Sequence, residues 1–142
     1  MWEETVVQHI RALFGSGHTF QARNLNGEAF TVTLNNEGVD VSNLGALPFL
    51  PWTVFIETIR LLKERGGRAP VGNAMNSRLG HGELPLECVE GYVALTVYQK
   101  KIGDTVFRRR VPVTRILISA GLCDYAEGQL LLTTSFKEVA NL

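Results

Sequence analysis

The stretch Phe107-Arg-Arg-Arg-Val-Pro-Val-Thr-Arg-Ile-Leu-Ile-Ser-Ala-Gly-Leu122, closely followed by Gly128-Gln-Leu-Leu-Leu-Thr133, decides how this chain is read. Pro112 suits a first helical turn, where a missing N–H costs nothing. Val113, Ile116, Leu117 and Ala120 then recur at helical spacing, and Gly121 stops the pattern. Beyond it, Leu122–Tyr125 and Gln129–Thr134 flank Ala126-Glu127-Gly128, the signature of a short hairpin. The stretch therefore predicts a helix, a Gly-Leu corner and two strands, with three arginines where the helix begins.

Upstream, Trp52, Phe55, Ile56, Ile59 and Leu62 mark an amphipathic helix that ends at Gly66-Gly67. Between the two helices, Arg68–Leu84 is rich in glycine and polar residues and has room only for a short helix around Asn73–Leu79. Leu86–Gln99 fits a helix through Val89, Tyr92, Val93, Thr96 and Val97, although Val93–Tyr98 also suits a strand; helix is the reading adopted. Ile102-Gly103-Asp104 breaks it. Towards the N-terminus, Trp2, Val6, Ile10, Leu13 and Phe14 predict a first helix, ended by Gly15-Ser16-Gly17. His18–Leu25 and Glu28–Asn35 read as strands joined through Asn26-Gly27, a pair suited to a tight turn, and Val39-Asp40-Val41 as a third strand.

The expected fold class is α+β, with residues 1–50 forming an N-terminal helix and small antiparallel sheet. Residues 51–142 form a winged-helix-like helical unit with a C-terminal β-hairpin, the two sharing one core. Hydrophobic residues make up 45% and charged residues 20% of 142, a globular composition in which disorder is expected only at the last few residues.

Phe107–Thr133 resembles the winged-helix module at the N-terminus of Mrr-type restriction endonucleases. In that module an aromatic residue, arginines and an apolar helix lead to an Ala-Gly-Leu corner, and the wing closes on an apolar-Thr strand. The similarity extends over about Pro51–Thr134. It implies a DNA-binding protein such as a transcription regulator or a restriction- or phage-related factor. The nuclease domain of those enzymes has no counterpart here, so cleavage is not implied.

The charge distribution leads independently to the same expectation. Net charge is zero, yet Arg60 to Arg115 holds eleven Lys or Arg against five Asp or Glu, a local excess suited to an anionic partner. Arg108, Arg109 and Arg110 at the helix entry, with Arg115 further along it, can set guanidinium forks beside phosphates or base edges. Lys100 and Lys101 add point charges for the backbone. These six residues are the expected nucleic-acid-binding set; the competing expectation is that the arginines pair with Glu87, Glu90 or Asp104 or point into water. The expected partner is double-stranded DNA. The alternative function is a protein–protein interaction or dimerisation module, with a homodimer or another protein as partner and no nucleic-acid binding.

Catalytic and cofactor patterns are missing from the sequence. His81-Gly82-Glu83 with Pro85 and Cys88 matches part of a zinc-deaminase pattern, but the second cysteine is absent and the spacing is too short. His9 and His18 have no nucleophile placed by a motif, and the glycine pairs lack the Gly-Lys-Ser/Thr of a phosphate loop. Scattered carboxylates such as Asp40, Glu57 and Asp104 form no pair that sequence alone can recognise. The expectation is a non-enzymatic protein with no metal and no cofactor. Cys88 and Cys123 read as buried free thiols. Met1-Trp2-Glu3-Glu4 is unlike a secretory signal, and no apolar run is long enough for a bilayer, so a cytoplasmic protein without membrane contact is expected.

Overall fold

In the computed structural model, which describes residues 1–142, the apolar stripe at the start of the chain forms α1 (Trp2–Ala12), with Val6 and Ile10 fully buried. The alternating segments that follow pair as β1 (Thr19–Arg23), β2 (Ala29–Asn35) and β3 (Gly38–Val41). A fourth strand, β4 (Phe49–Pro51), completes an antiparallel sheet of order β1-β2-β3-β4. The β3–β4 approach explains Gly38: a Cβ there would lie 2.1 Å from the Leu50 carbonyl oxygen, well inside van der Waals contact. A 3₁₀ turn at Ser42–Leu44 links β3 towards β4 and places Asn43 beside the β1–β2 turn, where its amide donates to Asn24 Oδ1 at 3.2 Å.

The chain enters α2 (Trp52–Glu64) directly from β4, with Pro51 as both the last strand residue and the helix N-cap. Leu62 accepts from Gly67 N–H across the left-handed Gly66, which closes this helix. There follow β5 (Arg68–Pro70), α3 (Val89–Thr96), α4 (Arg110–Ser119), β6 (Cys123–Ala126), β7 (Gln129–Leu132) and α5 (Thr134–Ala140). The second sheet is antiparallel, of order β5-β7-β6. The fold is α+β.

A single cluster of 27 buried hydrophobic residues runs from Val6 to Phe136 and draws on both sheets and all five helices. A satellite cluster of Leu79, Leu84, Cys88, Ala94 and Val106 lies under the connection between β5 and α3. No helix is long and apolar enough to cross a membrane.

Three sequence expectations need correction. No helix forms at Asn73–Leu79. Asn73 Oδ1 accepts from Met75 N–H and Ser77 Oγ from Glu83 N–H, so short polar side chains hold turns there in place of a helical ladder. The last strand stops at Leu132, short of Thr134, and the chain turns into a further helix, α5, which Thr133 caps through Phe136 N–H and which buried Phe136 holds to the core. The strands β4 and β5 were not anticipated; each has three residues ending on proline. The ambiguous segment Leu86–Gln99 does form a helix, α3, capped by Cys88 Sγ accepting from Gly91 N–H at 3.2 Å. Gly91 is required there, since a Cβ would fall 2.1 Å from the Pro85 carbonyl oxygen.

Candidate nucleic-acid interface

The helix that carries the arginines is α4. Val113, Ile116 and Leu117 fix it to the core, and the corner after it is a left-handed Gly121 followed by buried Leu122, whose N–H donates to Leu117 O. This is the helix stop in which the residue after the glycine bonds back to the third carbonyl from the end. At its other end, α4 is capped by a residue of α3. The backbone N–H groups of Arg109 and Arg110 each donate to one oxygen of Glu90 at 2.9 Å, so one carboxylate satisfies two orphan donors where a negative charge is favoured. Burial pushes the Glu90 carboxyl above the usual glutamate range, and the two N–H bonds oppose that rise.

The three consecutive arginines do not face one way. Arg109 turns inward and is 9% exposed. Its guanidinium lies 3.7 Å from the Tyr98 ring centroid and 4.8 Å from that of Phe107, and it donates to the Phe107 carbonyl at 3.3 Å. Burial lowers its pKa from the ordinary arginine value, and the ring faces partly replace the lost hydration. Arg109 Nε and the Tyr98 hydroxyl are both buried without a partner in the protein. Arg109, one of the six expected contact residues, is thus packed into the protein by the Tyr98 and Phe107 rings and does not share the face of Arg108.

Exposed Arg108 and half-buried Arg110 both line a groove of about 400 Å³, whose walls include Asn24, Asn26, Asn43 and Leu25. A second depression of about 360 Å³ shares Asn43, Leu44 and Arg108 with it and continues past Met75 and Phe107. Neither is lined by an Asp or Glu. Arg108 is exposed and its guanidinium donates to Met75 Sδ at 3.2 Å; Arg110 donates to the Gly72 carbonyl. The ion pairs of the protein are Arg60–Glu3, Arg60–Glu57 and Arg65–Glu87, and neither Arg108 nor Arg110 forms one. Glu90 caps α4, and Asp104 accepts from Lys101 N–H at 2.8 Å.

Arg115 is half-buried, and its Nε donates to the Arg23 carbonyl at 2.7 Å. That bond ties α4 to β1, which packs along the helix and covers part of its length. Lys100 and Lys101 are exposed on the loop after α3. Arg78, which sequence reasoning passed over, reaches Gly103 O at 3.2 Å and so joins that loop. Asn24, Asn26 and Asn43 were also missed as site residues; Asn26 was visible only as half of a turn signal, and nothing local shows that this turn stands opposite Arg108. The hairpin β6–β7 contributes no cation, and Asp124 and Glu127 give its tip negative charge. Nowhere do three His, Cys, Asp or Glu side chains converge as metal ligands.

No family model matches the chain, and no curated protein or solved structure matches it significantly.

Proposed function

We propose that this is a non-enzymatic nucleic-acid-binding protein of winged-helix type, with double-stranded DNA as its partner, acting in transcriptional control or in a restriction- or phage-related setting. The observation that carries the reading is the pair Arg108 and Arg110, two cations that form no ion pair and line a groove without carboxylates beside the start of α4. The chain order supports it: α4, the Gly121-Leu122 corner and the β6–β7 hairpin follow one another as the sequence resemblance implies, and β5 joins that hairpin in a sheet of order β5-β7-β6. Because β1 covers part of α4, contact is expected through the first turn of α4 and not along its whole length. Lys100 and Lys101 on the loop after α3, which Arg78 reaches through Gly103 O, would contact the phosphate backbone in this reading.

The test is fluorescence anisotropy of a labelled duplex titrated with protein across a salt series. Affinity should fall steeply with salt, and Arg108→Ala should reduce the slope of log affinity against log salt by about one. Affinity indifferent to salt and to Arg108 would sink the reading. The hairpin favours a second reading, a protein-interaction module: exposed Tyr125 between Asp124 and Glu127 offers an aromatic contact inside an anionic rim.

A further inference from the structure

We infer that the groove between the β1–β2 turn and the start of α4 is a nucleoside-phosphate site, which holds one unpaired nucleotide by its phosphate and by its base edge. The inference deepens the nucleic-acid reading above and rests on it. Four observations carry it. First, the volume, about 400 Å³, falls in the range of small-ligand sites. Second, the groove has two guanidinium groups and no carboxylate, so it favours an anion, and the planar forks of arginine match phosphate oxygens.

Third, the amides opposite the arginines are only half used. Asn43 Nδ2 donates to Asn24 Oδ1 at 3.2 Å, and Glu28 N–H donates to Asn26 Oδ1 at 3.0 Å. That leaves the amide nitrogens of Asn24 and Asn26 and the amide oxygen of Asn43 free to bond a ligand. Two amide NH2 groups on the β1–β2 turn and an amide oxygen on the neighbouring 3₁₀ turn offer both donors and an acceptor to a base edge; a bare anion needs no acceptor at all. Fourth, Leu25 is 67% exposed beside Val111 and Pro112, so the groove also has apolar surface for a sugar or base face. The continuation past Met75 and Phe107 gives a strand leading away from the site an aromatic surface to follow.

The same chemistry is offered by a free mononucleotide and by an unpaired nucleotide in a strand. Isothermal titration calorimetry of the full chain with adenosine, guanosine, cytidine and uridine monophosphates, with ribose 5-phosphate and inorganic phosphate as controls, addresses the first. Anisotropy with labelled single-stranded oligonucleotides addresses the second. At least one nucleotide should bind about tenfold tighter than ribose 5-phosphate. Arg108→Glu should abolish that binding while leaving the denaturation midpoint in place, since its side chain is exposed. Asn24→Leu should keep phosphate affinity but erase the preference for a base, and Lys63→Glu, on α2, should change nothing. Tighter binding of a strand than of any mononucleotide assigns the site to unpaired nucleic acid; equal affinity assigns it to a free nucleotide.

Equal binding of nucleotide and ribose 5-phosphate overturns the inference, as does better competition by an acidic peptide. If duplex DNA binds and no nucleotide or single strand competes with it, the inference fails while nucleic-acid binding stands. If neither duplex nor nucleotide binds, both fail.

Discussion

The two sides of the segment Phe107–Arg110 differ more than its sequence suggests. On the inner side, Arg109 is stacked on Tyr98 and Phe107 while Glu90 holds the backbone of Arg109 and Arg110. On the outer side, Arg108 and Arg110 face a groove with amide and apolar walls and no acid. Adjacent cations of one residue type thus differ in surroundings, Arg109 packed between rings and Arg108 and Arg110 lining the groove.

Substitutions can break this contrast, and the largest effect is expected inside. Arg109→Ala should lower unfolding free energy by about 2–4 kcal/mol, because it removes a buried hydrogen bond and both ring contacts at once. Chemical denaturation measures it; an unchanged midpoint would return Arg109 to the surface. Glu90→Ala should cost about 2–3 kcal/mol by stranding two buried N–H donors.

The pH dependence of Glu90 sharpens the point. Its carboxyl titrates above the ordinary glutamate value in the folded protein, so its contribution to stability is fully present below that ordinary value. The contribution is lost as pH rises through the raised one. Wild-type stability measured relative to Glu90→Gln should therefore decline from acid towards neutral pH; a difference that grows over that window would contradict the inward reading. A smaller effect, about 1–3 kcal/mol, is expected for Gly91→Ala, whose methyl must displace the Pro85 carbonyl. Arg115→Ala should cost only about 1 kcal/mol, the value of its bond to Arg23, and leave ligand binding nearly intact.

What could be read in advance divides along the range of the interactions. The helices α1, α2 and α4 announce themselves through apolar spacing and glycine stops, and the β1–β2 and β6–β7 hairpins through alternation around Asn26-Gly27 and Ala126-Glu127-Gly128. The strands β4 and β5 do not. Three residues ending on proline have too little pattern of their own, and β5 acquires its partner only from β7, which lies far along the chain. The start of α5 was visible in Thr133, but its single buried residue, Phe136, made too short a stripe.

The candidate interface divides in the same way. Arg108 and Arg110 could be picked out as cations at a helix entry. The inward turn of Arg109 could not, since it depends on Tyr98 and Glu90 from the preceding helix region. The asparagines could not either, because the β1–β2 turn meets α4 only through the tertiary fold.

The most direct test of the central claim is a paired measurement on Arg108→Ala and Arg109→Ala, recording duplex affinity at low salt and denaturation midpoint for each. The account predicts that Arg108→Ala weakens binding with an unchanged midpoint, and that Arg109→Ala lowers the midpoint. The reverse pattern, or binding unaffected by Arg108 in a fully folded protein, would contradict it.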